Sequence, residues 1–353
     1  MNIDKTFPVL VTGATGYVAG WIVKQLLENG VTIHAPIRDP NSEKLKYLNQ
    51  LAEDLPGSIK YFKADLLDKG SYKEAMQGCS IVFHTASPFI TDVKDPLRDL
   101  VDPALLGTKN VLEEAKKTST VKRVVLTSSC VAIYSDNADL KRAPDGVFTE
   151  KLWNTTSSLK HQPYSYSKTL AEKAAWKIAE SQNQWDLVVL NPSLVMGPGI
   201  NPFATSESFK IIKQMGDGTM KSGIPRYGFG IVDVRDLADA HIKAAFISDT
   251  KGRYIISGHN SDLSEVANIL HGKYGYQYPV PKKILPKWLI WLVGPMINKS
   301  MTRKIVSLNV NLPWRCDNSK GISELDMSYR PLKETVNDFF DQLIQSEQIK
   351  AVR

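Results

Sequence analysis

The chain is poor in cysteine: 353 residues include three, Cys79, Cys130 and Cys316, all far apart. So odd and sparse a set offers no disulfide framework and no Cys-x-x-Cys pair, suits a reducing cytoplasm, and leaves no metal expected. Long apolar runs are also missing. The strongest, Trp288–Ile297, is ten residues long, interrupted by Gly294-Pro295 and flanked by lysines, whereas a bilayer span needs roughly 20. It is read as a buried or lid helix rather than a membrane-surface element, with no stable membrane insertion. The opening MNIDKTFPVLVTG has no basic start leading into an apolar core, so no secretory signal is read and a cytoplasmic location is expected. Long basic runs are absent too. Lys plus Arg is 44 against 37 acidic residues, a net charge of +7, and the scatter favours an anionic small ligand over nucleic acid. No repeat or low-complexity segment stands out, and 42% hydrophobic with 23% charged residues excludes a disordered or collagenous chain.

What is present is a rhythm. Short β-branched runs at 8–12, 31–37, 59–64, 81–85, 121–127 and 187–191 alternate with helical patterns near 17–29, 43–54, 71–77, 96–117 and 164–181. That alternation predicts an α/β fold, a Rossmann-type doubly wound parallel sheet with helices on both faces. The rhythm breaks in the Pro/Gly-punctuated stretch 192–230, returns as a helix–strand pair over 234–257, then dissolves into scattered helices. The expected division is therefore discontinuous: 1–193 plus 231–258 as the nucleotide-binding domain, and 194–230 plus 259–353 as the substrate domain.

The first strand runs into Gly13-Ala-Thr15-Gly16-Tyr17-Val18-Ala19-Gly20. Glycines at a strand–helix turn let backbone approach a pyrophosphate, and the helix N-terminus supplies N–H groups and a positive dipole end. Glycines also serve ordinary turns; the position between first strand and first helix is what favours a nucleotide. The second strand ends in Arg38-Asp39, with Lys44 a turn onward. An Arg at that place meets a 2′-phosphate and so favours NADP(H); otherwise Arg38 is a solvated charge and Asp39 turns to the ribose. Asp65, beside Leu66 at the end of the third strand, could meet the adenine amino group or cap the following turn.

Tyr164 and Lys168 stand four apart at the start of a strong helical pattern, hence on one helix face. A nearby ammonium is expected to lower the tyrosine pKa from its usual value of about 10 and make Tyr164 a proton donor. Lys168 can also hold ribose hydroxyls. Thr127-Ser128-Ser129 closes the fifth strand, where a serine hydroxyl can donate to a carbonyl oxygen gaining charge. Each motif alone is weak; the order Gly loop, strand-end Ser, YxxxK is not. His84 and His241 sit in apolar contexts without a partner at ligand spacing and are read as structural. Asp233 and Asp236 are read as anchors for the returning chain.

These motifs, with HTASPF (84–89), KRVVLTSS (122–129), NPSLVMGP (191–198), VDVRDLADAH (232–241) and DNSKGISELDMSYRPL (317–332), resemble an extended short-chain dehydrogenase/reductase. The similarity is to the branch holding dihydroflavonol reductase, cinnamoyl-CoA reductase and yeast-type methylglyoxal/carbonyl reductases. The resemblance implies NADPH-dependent reduction of aldehydes and ketones with Ser129, Tyr164 and Lys168 as the catalytic set. It also implies Thr85, Ala86 and Ser87 along the cofactor, and Pro192, Ser193, Leu194 and Val195 beside the nicotinamide. The chain departs from the flavonoid reductases at Tyr134, where they carry Asn, and from the cinnamoyl-CoA reductases in QPYSYSK against NWYCYGK, so a generic carbonyl substrate fits better. Phe89, Tyr134, Met196 and Tyr227 are expected at the substrate cleft, or else as ordinary core and surface residues. Two rivals remain. A sugar-nucleotide epimerase or dehydratase would want carboxylates after Thr127, where Ser128-Ser129-Cys130 stand; a non-catalytic NADP-binding module would not need Tyr164 and Lys168. The physiological carbonyl and a homodimer are left open.

Overall fold

The computed structural model describes residues 3–87, 93–298 and 300–352. In chain order the elements begin β1 Val9–Thr12, α1 Tyr17–Glu28, β2 Thr32–Ile37, α2 Leu45–Asp54, β3 Ser58–Lys63, α3 Lys73–Met76, β4 Ile81–His84, α4 Asp102–Lys117, β5 Arg123–Thr127, α5 Pro163–Ala179 and β6 Asp186–Pro192. There follow β7 Leu194–Met196, α6 Glu207–Gly216, β8 Ile224–Pro225, β9 Gly228–Asp233, α7 Val234–Phe246, β10 Gly252–Ile256, β11 His259–Asp262 and α8 Leu263–Tyr274. The chain closes with β12 Ile284–Leu285, α9 Lys287–Ile297, α10 Arg303–Asn309, α11 Ser319–Glu324 and α12 Leu332–Gln345. Short 3-10 turns fill 130–146.

Seven parallel strands form the main sheet in the order β10-β6-β5-β4-β1-β2-β3. Chain order reverses at β1, which pairs with β2 on one side and β4 on the other, so a crevice opens beyond the carboxyl ends of β1 and β4. The strands read as near-continuous apolar runs because both faces are covered. One face packs Val9, Val11, Phe83 and Leu190 against α1 and α7; the other packs Leu10, Val82, Val124 and Val189 against α4 and α5.

The return of the chain at α7 and β10 is held by a buried cation. Arg123 pairs with Asp186 at 2.7 Å and donates to the carbonyls of Ala244, Ile247 and Ser248 and to the Thr250 hydroxyl. Asp233 caps α7 and pairs with Arg235, which also reaches Asp338 of α12; Asp236 pairs with Arg330. These aspartates anchor the return rather than face a cleft.

A second core gathers β7, β9, α6, α8 and α12 around Phe209, Ile231, Leu270, Phe339 and Phe340. A small third cluster, Ile290, Val306 and Val310, lies under α9 and α10. The structure departs here from a buried helix, one of the two expected roles. Only Ile290 and Gly294 of α9 are buried, because so small a cluster needs one narrow face of the helix.

Candidate active site

The turn after β1 is built for close approach. Gly13 has φ +67°, and a Cβ there would stand 3.0 Å from the Ala86 Cα, so only glycine fits both the left-handed backbone and the space. The buried Thr12 fastens this turn to the end of β4: its hydroxyl accepts from the N–H groups of Thr85 (3.1 Å) and Ala86 (3.0 Å), while Thr85 Oγ1 donates back to Thr12 O. His84 completes the clasp, 2.9 Å from Thr12 Oγ1, and burial pushes it down to about 3. Gly16 precedes α1 without a side-chain cap, so among the described residues the first N–H groups of the helix have no side-chain partner. Thr15 is half-buried in this turn, and Val18, in the first turn of α1, packs in part against the main core. Tyr17 uses its side chain elsewhere. Its hydroxyl donates to Gly197 O at 2.6 Å and its ring packs edge-on to Phe209, tying α1 to the second core.

Arg38 and Lys44 are exposed at the end of β2 and the start of α2. Asp39 instead accepts from the Asn41 N–H at 2.9 Å and so serves its own turn. Asp65 likewise accepts from Leu67 N–H at 2.8 Å, the cap alternative, and its second carboxylate oxygen has no partner among the described residues. Leu66 lies against Gly107 of α4, where a Cβ would come within 2.5 Å of the leucine side chain.

Helix α5 begins abruptly. Gln162 takes a left-handed φ of +53° and Pro163 opens the first turn. For a residue with a side chain that backbone needs support, and the buried Asp136 supplies it. Asp136 lies 2.6 Å from His161 Nε2 and accepts from Gln162 Nε2 and from Asn309 Nδ2 of α10. Tyr164 and Lys168 then follow on one face, with Lys168 Nζ 6.0 Å from the centre of the Tyr164 ring.

The expected lowering of the tyrosine is not seen. Tyr164 is 46% exposed as a residue, yet desolvation pushes its hydroxyl up to about 12. Burial outweighs an ammonium 6.0 Å away, and Lys168 is itself pushed down to about 8 by burial, with Glu172 opposing.

Ser128 and Ser129 divide their work. The Ser128 hydroxyl is buried and donates to Glu172, whereas Ser129 is half-buried at the head of the next turn, its Oγ accepting from Val131 N–H at 3.3 Å. Ser129 is thus the one whose hydroxyl proton is free to meet a ligand.

Glu172 was not anticipated. It is 1% exposed and accepts from Ser128, from Asn191 Nδ2 at 2.8 Å and from Arg253 Nε at 2.6 Å. The available signal was its spacing: Tyr164, Lys168 and Glu172 fall at i, i+4 and i+8 on one helix face. A cavity of about 20 Å³, room for roughly one water, lies behind Lys168, bounded by Ser87, Thr108, Thr127, Ser128 and Glu172.

Pro192 is buried at the end of β6 and pairs with Ile256; the Ser193 N–H donates to Ile256 O. Leu194 and Val195 continue into β7 beside β9. The substrate residues fare unevenly. Met196 is fully buried in the second core and cannot face a ligand. Tyr134 stacks on Phe148 at 4.5 Å and packs with Trp314, a core role. Tyr227 is half-buried against Val306 and Val310, and burial together with Asp136 raises its hydroxyl. Phe89 lies outside the described residues. His241 is buried between Thr127 Oγ1 and Leu237 O, both at 2.7 Å, and is pushed down to about 4.

The profile of the NAD dependent epimerase/dehydratase family matches residues 9–256. The chain belongs to that family. A cinnamoyl-CoA reductase of Medicago truncatula is 41% identical over 270 residues, covering 75% of this chain and 80% of its own. Tetraketide alpha-pyrone reductase 1 of Arabidopsis thaliana is 33% identical over 98% of this chain and 97% of its own. Among solved structures, a yeast methylglyoxal/isovaleraldehyde reductase complexed with NADPH superposes with a TM-score of 0.77 at 28% identity, covering 96% of this chain and 99% of that one.

Proposed function

We propose that the protein is an NADPH-dependent reductase of aldehydes and ketones, rather than an epimerase or a non-catalytic NADP-binding module. The observation that carries this reading is the convergence, at the carboxyl edge of one sheet, of a cradle only glycine can line with a Tyr164–Lys168 face. The relatives named above are reductases, which favours reduction over epimerisation. No carboxylate follows Thr127, as a dehydratase would want.

The cradle fits a dinucleotide: Gly13 and the uncapped start of α1 would hold the pyrophosphate, and Arg38 with Lys44 the 2′-phosphate. Thr85, Ala86 and Ser87, and Pro192 through Val195, would flank the nicotinamide half. NADPH, when bound, supplies the hydride. The chain's own part is positional and acid–base. Ser129 donates a hydrogen bond to the carbonyl oxygen as it gains charge. Tyr164 gives that oxygen its proton; a tyrosine near 12 is fully protonated at neutral pH, the form an acid must have. Lys168, near 8, is mostly cationic there and favours the phenolate left behind.

The test is NADPH oxidation with a panel of carbonyl compounds. Tyr164→Phe should lose more than about tenfold in turnover, the general-acid contribution being roughly 10²–10⁴, with NADPH affinity nearly unchanged. Lys168→Ala should lower both. Retention of turnover in Tyr164→Phe overturns the acid assignment, and absence of any carbonyl-dependent oxidation overturns the function.

A further inference from the structure

Helix α9 turns its apolar side outward. Trp288, Trp291, Leu292 and Met296 recur at helical spacing on one stripe, and Trp288 and Met296 are 68% and 85% exposed. A folded protein rarely leaves such side chains together in water without a use. The sequence flanking the stripe is also one-sided. Between Glu265 and Asp317 it holds eight Lys and Arg residues and no Asp or Glu; Lys273 among them pairs with Asp341 of α12. Lys282 and Lys283 are exposed just before the helix, and the Arg303 guanidinium of α10 lies over the Trp291 ring at 4.6 Å.

We propose that this face docks reversibly on an anionic phospholipid bilayer, α9 lying in the plane of the interface. Eleven residues with a proline among them cannot span the hydrocarbon, and among the described residues no helix is long and apolar enough to cross a membrane. The stripe is instead suited to the headgroup boundary: tryptophans, Leu and Met to enter the acyl region, with a basic rim for the phosphates. A second copy of the chain is a poorer occupant. A two-fold contact through this face would bring the two positive rims together. The exposed stripe lies on the opposite side of α9 from Ile290 and Gly294, which pack on the protein, so docking needs no unfolding.

The experiment is co-flotation of the full chain with phosphatidylcholine vesicles, with and without phosphatidylserine. Binding should require phosphatidylserine, fall as salt rises, and drop at least about tenfold in Trp288→Ser/Met296→Ser and in Lys282→Glu/Lys283→Glu. Both variants alter exposed side chains, so their NADPH oxidation with a soluble aldehyde should stay at the wild-type level, a control for folding. The proposal is overturned by no flotation, by equal flotation on neutral vesicles, or by variants that float like wild type. It is also overturned if sedimentation equilibrium shows a dimer that Trp288→Ser/Met296→Ser abolishes and vesicles do not compete with.

Discussion

Replacing Glu172 by Gln keeps the side chain's size and removes its charge, and the surroundings set the cost. The carboxylate only accepts hydrogen bonds, from Ser128, Asn191 and Arg253 and, at 3.4 Å, from Trp176 Nε1. A glutamine offers one acceptor oxygen and turns an NH₂ toward at least one of these donors. Arg253 is 8% exposed and keeps its bonds to the carbonyls of Glu150 and Leu152, so it is stranded only in part. Breaking a buried ion pair costs about 3–5 kcal/mol; the two surviving carbonyls put this one near the lower end, about 3 kcal/mol. An unfolding entropy of roughly 2.1 cal/mol/K per residue makes that a fall in Tm of about 4 °C for a chain of this length.

The same change reaches the chemistry. Glu172 is what opposes the burial that lowers Lys168, so without it the lysine loses its proton at a still lower pH. Turnover should decline on the alkaline side as Lys168 deprotonates near pH 8 in the wild type, and in Glu172→Gln that limb should move acidward. A pH–rate profile of kcat beside thermal melts of both proteins makes the check. A melt that falls with an unmoved limb would mean that Glu172 only packs α5 against β6. An unchanged melt and limb would refute the electrostatic reading altogether.

Cofactor choice and acid stability give two further tests. A charge-assisted contact contributes about 1.5–3 kcal/mol, so Arg38→Ala should weaken NADPH by roughly 10- to 100-fold and leave NADH almost unmoved; a kcat/KM ratio for the two cofactors that does not change would return Arg38 to a solvated strand-end charge. His84 and His241 fold with pKa values near 3 and 4 against an ordinary 6.5, so between those values the unfolded chain binds protons that the folded one refuses. Stability held above about pH 6.5 should therefore be lost as pH falls toward 4, by up to about 1.4 kcal/mol per pH unit for each histidine. Denaturant midpoints across that range should show a shallower slope in His241→Gln, and an unaltered slope would count against the buried neutral ring.

The main sheet was legible because its signals are local and repeated. Each buried parallel strand is an apolar run, each helix an amphipathic one, and the Gly13–Gly16 turn sits where backbone must do what only glycine can. The small sheets of the second core were not legible: β7, β8 and β12 are two or three residues long, and their partners lie up to some 60 positions away in sequence. The substrate side suffered for the same reason. Met196 stands beside motif residues in the sequence, but strand pairing turns it into a closed core, while Tyr134 stays half-buried and stacked on Phe148.

The residues missed at the site share one property: they hold the side chains proposed to act on the ligand. Glu172, Asn191 and Arg253 come from α5, β6 and β10 and meet only once the sheet is assembled. Asp136 lies in an irregular turn and braces the backbone at Gln162, two residues before the proposed proton donor Tyr164. A motif read along a helix finds Tyr164 and Lys168 because chemistry fixes their spacing. The shell that holds them is fixed by topology, which constrains where a carboxylate must arrive in space and leaves open where in the sequence it comes from. Glu172 is the exception that helical period could have reached, and for that reason its substitution separates a positioning role from mere packing better than that of any other member of the shell.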